Sequence, residues 1–550
     1  MDRVVVADPL APAGLSVLRE AGTRVVDLAG SDRPSLLRAL DGADALLVRS
    51  RTRVDDELLE AAPRLRVVGR AGIGVDNVDL DAATERGVLV FNVPAANLLS
   101  ATEHTFALLL SLVRNVAAAD AAMKSGAWDR KRFLGVELQG KLLGVVGLGR
   151  IGQQVAERAR AFRMDVIAYD PFLDSRVAEK LGVSLVPLDE LLERADVVTL
   201  HLPLSPRTQG LLGRVELQRM KEGAFLVNCA RGGLVEEGAL WEALEAGDLA
   251  GAALDVFEDE PPLDWELARH PRVVATPHLG AQTREAQDRA SIEAARTLIE
   301  AMRGSLSVSA VNLPFAWDRN RQTGPLRLAE QLGRLGSGLV GGGVVEVTVD
   351  LWGEDDDLHR ALALGALRGV LVDALGPSVS YVNVERVAAS RGVSVVRRSH
   401  AVEELAYPNL VGVGVKNGSA RIELAGTLFD GSRARVVRFG AVPLEFAPEG
   451  RLLVLRSFDE PGVVGQVGTL LGEAGVNIAD VHLARKDGEE DAWTVLRLDQ
   501  EPGTNLIERL EALPAVRTVR LVDLGRPGLS GAVSPPGAPR GGESGDGPVR

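Results

Sequence analysis

Three side chains near the middle of the chain, Arg231, Glu260 and His278, have the types needed to oxidise an alcohol beside an acid group. An imidazole can take the hydroxyl proton, and a guanidinium can hold a carboxylate through two parallel N–H bonds. A carboxylate near the imidazole would orient it and raise its proton affinity. Taken singly, such residues are more often structural. Because all three follow predicted strand ends, we expect them to act together at one site.

A glycine-rich turn precedes these residues and is typical of dinucleotide binding. The apolar run Leu142–Val146 predicts a buried strand, and Gly147, Gly149 and Gly152 follow it with the spacing G-x-G-x-x-G. The first glycine allows a tight turn, the second lets a pyrophosphate approach the backbone, and the third lets helix and strand pack closely. The helix N-terminus supplies free N–H groups for the phosphates. The alternative is a glycine-rich turn in some other α/β unit.

A carboxylate after the next predicted strand indicates which dinucleotide is bound. The strand covers residues 164–169 and is followed by Asp170. A carboxylate at this place accepts hydrogen bonds from ribose hydroxyls but repels a 2′-phosphate. Pro171 and Phe172 offer no compensating arginine. The sequence therefore predicts NAD rather than NADP, and the alternative role of Asp170 is a solvated strand end.

Short strands that alternate with helices must position these groups. The predicted strands are residues 4–7, 24–28, 45–49, 67–69 and 88–91, and then 197–200, 224–228, 251–255 and 273–275. This alternation predicts parallel sheets with helices on both faces. Polar clusters after successive strands of one sheet should share one crevice. Asp255, at one such strand end, could hold the nicotinamide amide.

Other segments of the first half allow two interpretations each. Residues 49–52 and 70–74 are polar strand ends and could bind a ligand or be ordinary loops. Residues 128–133 form a basic loop with aromatic flanks, either a solvated loop or an arm for an anionic substrate. Ser100 and Glu103 have capping-box spacing and predict the start of a long helix between two domains.

The second half predicts two further modules and a tail. A helix at residues 283–302 precedes Pro314 and residues 319–321, which predict a linker. Residues 326–448 contain strands and helices of an α/β module without a catalytic cluster. Residues 452–524 have the order strand, helix, strand, strand, helix, strand. Residues 526–550 are rich in Gly, Pro and Ser and should be disordered, because they cannot bury a core.

The composition of the 550 residues is that of a globular protein with several domains. No apolar run is long enough to cross a bilayer, so no membrane partner is expected. The formal net charge of −14 argues against a nucleic-acid partner. The single cysteine, Cys229, excludes an internal disulfide and fits a reducing compartment, so we expect a cytoplasmic protein. We expect no metal site.

Cysteine and histidine positions outside the trio indicate little chemistry. Cys229 adjoins the cluster but has no identifiable partner histidine, so we expect it to line a pocket rather than to act as a nucleophile. Five further histidines show no comparable setting and are expected to be structural or exposed; these are His104, His270, His359, His400 and His482.

Together these clusters resemble the D-isomer-specific 2-hydroxyacid dehydrogenases, in particular the long members that act on 3-phospho-D-glycerate. The resemblance is carried by residues 48–50, 68–72, 74–79, 147–152, 228–233, 252–257 and 277–281. These sequence segments are distributed over most of residues 3–312, and their combination is specific to the family. The later modules resemble the intervening regulatory domain of the longer bacterial forms and an ACT domain.

The resemblance implies an α/β fold with a Rossmann-type dinucleotide-binding domain inserted in a flavodoxin-like substrate domain. An α/β regulatory domain and a C-terminal ferredoxin-like ACT domain would follow. The implied boundaries are 1–98 and 281–312 for the substrate-binding domain, 99–280 for the NAD-binding domain, 313–448 for the intervening domain, 451–525 for the ACT domain and 526–550 for a disordered tail.

The resemblance also implies roles for individual residues, with Arg231, Glu260 and His278 as the catalytic trio. The implied NAD contacts are Gly147, Gly149, Arg150, Ile151, Gly152, Asp170, Cys229, Asp255, His278 and Gly280. The implied substrate contacts are Arg49, Ser50, Arg70, Gly72, Arg130, Arg132 and Arg231. The loop with Arg130 and Arg132 resembles one that reaches into the neighbouring subunit's site, which implies a homo-oligomer, a dimer or a tetramer.

The ACT-like module suggests an effector. Asp459 and Asn477 stand at its ligand-loop positions and could receive the ammonium and carboxylate of a small amino acid. End-product logic makes L-serine the candidate. Ser457 stands near this loop where an aromatic residue is often found, and the alternative is a module that only holds subunits together.

The implied reaction is NAD-dependent oxidation of 3-phospho-D-glycerate to 3-phosphohydroxypyruvate, the first step of L-serine biosynthesis. The residues alone indicate only an anionic 2-hydroxy acid. One alternative is a glyoxylate or hydroxypyruvate reductase of the same family, which usually lacks both C-terminal modules. The other is a non-catalytic dinucleotide-sensing corepressor with the same fold, which would need a partner-binding surface.

Overall fold

The computed structural model describes residues 1–306, 309–376, 378–401, 407, 409–485 and 490–525. The tail predicted to be disordered, residues 526–550, lies outside the described residues. Four sheets lie within the described ranges, and helices pack against each of them.

The first sheet has five parallel strands in the spatial order β2-β1-β3-β4-β5. Its strands are β1 (Arg3–Val6), β2 (Arg24–Asp27), β3 (Ala45–Val48), β4 (Val67–Arg70) and β5 (Leu89–Phe91), with helices α1 (Pro12–Glu20), α2 (Arg33–Leu40), α3 (Asp56–Glu60) and α4 (Leu80–Glu85). The central strands are apolar throughout because they are covered on both faces. This strand order is the flavodoxin-like one, which confirms the prediction.

The second sheet has seven parallel strands in the order β12-β11-β10-β9-β6-β7-β8. Its strands are β6 (Leu142–Val146), β7 (Asp165–Tyr169), β8 (Ser184–Leu185), β9 (Val197–Leu200), β10 (Ala224–Asn228), β11 (Leu249–Leu254) and β12 (Val273–Ala275). Its helices are α5 (Leu98–Val113), α6 (Val116–Lys124), α7 (Arg150–Ala161), α8 (Ser175–Leu181), α9 (Leu188–Arg194), α10 (Arg214–Arg219), α11 (Glu237–Ala246) and α12 (Glu266–Arg269). The strand order reverses direction between β6 and β9, where doubly wound sheets bind ligands.

Helix α13 (Arg284–Met302) brings the chain back to the first sheet. The backbone N–H of Ala11, before α1, donates to Ser291 Oγ at 3.0 Å. Beyond α13, Asn312 Oδ1 accepts from the N–H of Val90, a residue of β5, at 2.9 Å. The second sheet is therefore inserted within the first unit, while the residue boundaries given above stay predictions.

The start of α5 differs from the sequence prediction. The helix begins at Leu98 after the N-cap residue Asn97, so Ser100 lies inside its first turn and is buried. The predicted capping box at Ser100 and Glu103 is therefore wrong. The apolar residues Leu98 and Leu99 before the serine extend the helical periodicity, and the local cap pattern does not override it.

The third unit has a six-stranded sheet in the order β14-β13-β15-β16-β17-β18, antiparallel except for the β13–β14 pair. Its elements are α14 (Arg319–Val340), β13 (Val344–Trp352), α15 (Asp356–Leu375), α16 (Val384–Ser390), β14 (Ser394–His400), β15 (Val411–Asn417), β16 (Arg421–Phe429), β17 (Arg433–Phe439) and β18 (Val442–Phe446). The linker predicted at residues 319–321 is wrong, because these residues form the first turn of α14 and are capped by the Asp318 side chain. That turn carries no apolar residue, so periodicity gave no sign of the helix.

The fourth unit has an antiparallel sheet in the order β20-β21-β19-β22. Its elements are β19 (Arg451–Phe458), α17 (Val463–Glu473), β20 (Ile478–Arg485), β21 (Asp491–Leu498), α18 (Thr504–Glu511) and β22 (Val516–Asp523). The order strand, helix, strand, strand, helix, strand is the one predicted. The ferredoxin-like prediction is confirmed.

No single helix among the described residues is long and apolar enough to cross a membrane. Helices α5 and α6 meet the length and composition test only when they are taken together, and they are bent by 64° at their junction.

Candidate active site

The turn between β6 and α7 has the shape that a pyrophosphate needs. Gly147 has φ = 93°, a conformation that L side chains rarely adopt, and a Cβ at Gly152 would lie 2.1 Å from the carbonyl oxygen of Gly147. A Cβ at Gly149 would meet open space. Helix α7 begins at Arg150, and its first N–H groups lack intrahelical partners. The turn therefore offers N–H donors to a phosphate that approaches over Gly149 and Ile151.

The Asp170 carboxylate lies at the end of β7, beside this turn. One oxygen accepts from the N–H of Leu148 at 3.0 Å, and the other accepts from the N–H of Phe172 at 3.0 Å. The carboxylate therefore fixes the glycine turn to the end of β7. Each oxygen keeps acceptor capacity for a ribose hydroxyl, so the turn and Asp170 together fit a dinucleotide.

Three arginines from two sheets converge on one place. Arg49 follows β3, Arg70 ends β4, and Arg231 follows β10. Burial and the nearby like charges of Arg231 and Arg49 together lower the pKa of Arg70 to about 10. Among the described residues the Arg70 Nε has no hydrogen-bond partner although it is buried. This arrangement suits an anion with more than one negative charge.

Residues around the arginines hold them in place. A Cβ at Gly72 would lie 1.7 Å from Arg70 Nη1, so only glycine leaves room for that guanidinium. The Asn77 side chain donates to the carbonyl oxygen of Arg49 at 2.8 Å. Asp76, on the same loop, lies 3.3 Å from Arg231 Nε. Ser50 lies next to Arg49 and is exposed.

His278 and Glu260 form a close pair. His278 Nδ1 lies 2.7 Å from Glu260 Oε2, and both side chains are partly exposed. The hydrogen bond that His278 donates to Glu260 raises the pKa of His278 above its ordinary value, although burial opposes the shift. Because Nδ1 faces Glu260, Nε2 is the ring nitrogen that remains to exchange a proton. The pair can therefore act as a base of raised proton affinity.

The Asp255 carboxylate is 1% exposed and is surrounded by donors. Oδ1 accepts from Thr276 Oγ1 at 2.6 Å and from the N–H of Leu279 at 2.7 Å, and it lies 3.0 Å from His104 Nε2. Oδ2 accepts from the N–H of Gly280 at 2.8 Å. Burial would raise the pKa of Asp255, but these hydrogen bonds outweigh it and lower the pKa. A role in holding the nicotinamide amide stays a prediction, and Oδ2 is the less engaged oxygen.

Cys229 is half-buried beside this carboxylate. Burial raises the pKa of its thiol to about 12, and the charge of Asp255 acts in the same direction. The thiol is therefore protonated at neutral pH, which agrees with the expectation that it is not a nucleophile.

Four of the predicted site residues do not join this cluster within one chain. Arg130 and Arg132 are exposed on the loop after α6. Asp459 pairs with Arg485 at 2.9 Å, whereas the Asn477 amide donates to Asp499 at 2.6 Å. Asp459 and Asn477 thus engage different neighbours in the fourth unit.

The sequence reasoning missed His104, which was expected to be structural or exposed. It lies on α5 and contacts the group that holds the turn bearing His278. No spacing could have indicated it, because 151 residues separate it from Asp255.

Comparison with known proteins identifies the family. A family model described as the NAD binding domain of D-isomer specific 2-hydroxyacid dehydrogenases matches residues 106–280. The D-3-phosphoglycerate dehydrogenase intervening domain matches residues 324–440, and the ACT domain matches residues 451–515. The D-3-phosphoglycerate dehydrogenase of Methanocaldococcus jannaschii is 39% identical over 534 residues, 95% of this chain and 100% of that protein.

The chain belongs to the D-3-phosphoglycerate dehydrogenase family.

A second relative supports this assignment, and one solved structure shows a more distant likeness. The D-3-phosphoglycerate dehydrogenase of Mycobacterium tuberculosis is 42% identical over 526 residues, 95% of this chain and 99% of that protein. The solved D-lactate dehydrogenase of Aquifex aeolicus, in complex with NAD and lactic acid, is 30% identical with a TM-score of 0.50. The match covers 55% of this chain and 96% of the solved chain. This more distant likeness is therefore confined to about half of the present chain. The cofactor of this dehydrogenase family member is NAD.

The geometry of Asp170 predicts its effect on cofactor choice. Asp170→Ala should weaken NAD binding and narrow the preference for NAD over NADP, because the ribose loses its acceptor and the 2′-phosphate loses a repelling charge. Titration of both cofactors against intrinsic fluorescence measures this. Asp165→Ala, at the exposed opposite end of β7, is the matched control and should bind both as wild type does. Equal use of NADP and NAD by wild type would contradict this role of Asp170.

Proposed function

We propose that this protein oxidises 3-phospho-D-glycerate to 3-phosphohydroxypyruvate with NAD, the first step of L-serine biosynthesis. The observation that carries the proposal is the convergence of Arg49, Arg70 and Arg231 at one crevice with the His278–Glu260 pair. The substrate has a phosphate and a carboxylate, and three guanidinium groups match this charge. Relatives named for this reaction match 95% of the chain, both C-terminal modules included.

Each residue of the crevice then has a role. Arg231 holds the substrate carboxylate, and Arg49 and Arg70 hold the phosphate, with Ser50 and Gly72 beside them. NAD, when bound, accepts the hydride from the alcohol carbon. His278 Nε2 takes the hydroxyl proton, and Glu260 stabilises the imidazolium that forms. Gly147, Gly149 and Gly152 admit the pyrophosphate to the α7 N-terminus, where Arg150 and Ile151 lie.

A turnover assay tests the reaction itself. NADH formation with 3-phospho-D-glycerate should be efficient, and D-glycerate, which lacks only the phosphate, should be a poor substrate. A glyoxylate or hydroxypyruvate reductase would show no such dependence on the phosphate, and a dinucleotide-sensing corepressor would show no turnover. Either result would overturn the proposal.

Replacement of the base gives a direct prediction. His278→Ala should leave NAD binding nearly intact and lower turnover by about two to four decades, the usual effect of losing a general base. His400→Ala is a matched control, because His400 also lies 2.7 Å from a carboxylate, that of Asp350, and is 41% exposed against 48% for His278. An unchanged turnover number in His278→Ala would remove this residue from the mechanism.

The raised pKa of His278 predicts a pH effect with a definite sign. Oxidation needs the neutral imidazole, so its rate falls as the pH drops through the pKa of His278, whereas reduction needs the imidazolium and falls as the pH rises through it. Glu260→Gln removes the charge that raises this pKa. In this variant the fall of the oxidation rate at low pH and the fall of the reduction rate at high pH should therefore both occur at lower pH than in wild type. The variant should lose least oxidation activity at high pH, where the imidazole is neutral without help. Limbs that stay at the wild-type pH in both directions would refute the pairing.

We further propose that the C-terminal ACT domain binds L-serine where two such modules meet, with Asp459 and Asn477 at the site. Binding must favour a less active arrangement, since a ligand with equal affinity for both states shifts nothing. Calorimetry with L-serine should show binding to wild type and loss in Asn477→Ala. Asn505→Ala, an exposed asparagine of the same module, should bind as wild type does.

Two results decide the effector proposal. An absence of heat and of thermal stabilisation at millimolar L-serine would refute the site. Binding without inhibition would retain the site and refute feedback control.

The exposed loop with Arg130 and Arg132 supports assembly. Its flanking residues Trp128 and Leu134 are 78% and 88% exposed in the single chain, as expected if they are covered by a neighbouring subunit. We propose a homo-oligomer in which this loop reaches the neighbouring site, and sedimentation of the full chain tests it. We also propose a cytoplasmic location, because Cys229 is the single cysteine of the chain and forms no internal disulfide, which fits a reducing compartment. Cell fractionation tests this location.

A further inference from the structure

The turn that bears His278 has an unusual backbone. His278 has φ = 54°, in the left-handed region that few residues other than glycine adopt. Such a conformation persists only where its surroundings hold it in place. Here the N–H groups of three successive residues donate to Asp255: His278 to the backbone carbonyl at 2.8 Å, and Leu279 and Gly280 to the side chain. Asp255 therefore fixes the position of His278.

Asp255 is in turn held by two further side chains. Thr276 Oγ1 uses its proton to donate to Asp255 Oδ1 at 2.6 Å. His104 Nε2 lies 3.0 Å from the same carboxylate oxygen and 3.1 Å from Thr276 Oγ1. Because the carboxylate can only accept and the hydroxyl proton is already engaged, the His104 Nε2 must carry the hydrogen. His104 is thus a donor to a carboxylate that is 1% exposed.

His104 lies on a helix that connects the two sheets. It lies on α5, the long helix that leaves the first sheet and packs on β10, β11 and β12 of the second. His104 is 17% exposed, so its ring is largely enclosed. A buried carboxylate that loses a donor either moves toward another donor or loses stability. In either case the turn that it holds would change.

We propose that His104 is a positioning residue that holds Asp255, and through it the turn at residues 276–280 and the base His278, in the geometry of the reaction. The inference deepens the proposed function and rests on the role given there to His278. His104 does not contact the reacting atoms; its effect passes through Asp255.

The charges around His278 give the sign of the effect. His278 faces Glu260 on the loop after β11, Asp255 at the end of β11 and Arg231 after β10. Glu260 and Asp255 raise the pKa of His278, and Arg231 lowers it. Without the His104 donor, the Asp255 charge is less compensated and acts more strongly on His278. Loss of His104 should therefore raise the pKa of His278, opposite to the effect of Glu260→Gln.

The test compares His104→Leu and His104→Gln with a control on the same helix. Leu108→Ala removes a buried apolar side chain of α5 without touching Asp255 and controls for simple destabilisation. The imidazole titration of His278 is followed by NMR of histidine-labelled full-length protein and assigned from the signal missing in His278→Ala. In parallel, the pH profile of kcat/KM for 3-phospho-D-glycerate is recorded.

We expect His104→Leu to lower kcat/KM by about tenfold to a hundredfold, as for the loss of a hydrogen bond to a charged group. The His278 titration and the acid limb of oxidation should both move to higher pH. His104→Gln should recover much of the loss, because its amide can donate to Asp255. Thr276→Val, which keeps the side-chain volume, should shift the titration of His278 in the same direction. This variant provides the test if His104→Leu does not fold.

Several results would overturn the inference. One is a His278 titration in His104→Leu that matches wild type, with a loss of activity and of Tm no different from Leu108→Ala. Another is His104→Gln behaving like His104→Leu. Wild type that fails to turn over 3-phospho-D-glycerate would refute the proposed function instead, and the titration comparison would still decide the role of His104.

Discussion

The buried carboxylate of Asp255 is the group on which the geometry of the site depends. A charge that is 1% exposed needs donors on every side, and they come from α5, from the end of β12 and from the turn that follows it. Satisfying this one group brings together segments that are up to 151 residues apart in sequence. The position of His278 and the packing of α5 are thus parts of a single hydrogen-bond network.

The two sheets contribute different groups to the crevice. The first supplies positive charge at the carboxyl ends of β3 and β4, where Arg49 and Arg70 lie close enough to repel each other. The second supplies the nucleotide turn, Arg231 and the base. Crowded guanidinium groups are unfavourable without a counter-charge, so this edge of the first sheet gains most from a multiply charged anion. Asp76 provides part of that counter-charge to Arg231 within the chain itself.

Much of the fold could be predicted from the sequence because short apolar strands, glycine turns and strand-end polar residues are local signals. The Gly147–Gly152 turn, Asp170 and the two parallel sheets follow from such signals, whereas their flavodoxin-like and Rossmann-type architecture was implied by the family resemblance. His104 did not, because its partner lies on another element and a lone histidine on a helix has no distinctive spacing. The linker prediction at residues 319–321 was wrong because a capped first helical turn made of polar residues has the composition of a loop.

The most direct measurement of the central claim is the relative kcat/KM of the wild-type enzyme for 3-phosphohydroxypyruvate, hydroxypyruvate and glyoxylate in the direction of NADH oxidation. If the arginines of the crevice bind the phosphate, the phosphorylated substrate should be preferred by about a hundredfold or more, since its analogues leave buried cations unpaired. Equal or faster turnover of glyoxylate or hydroxypyruvate would contradict the account.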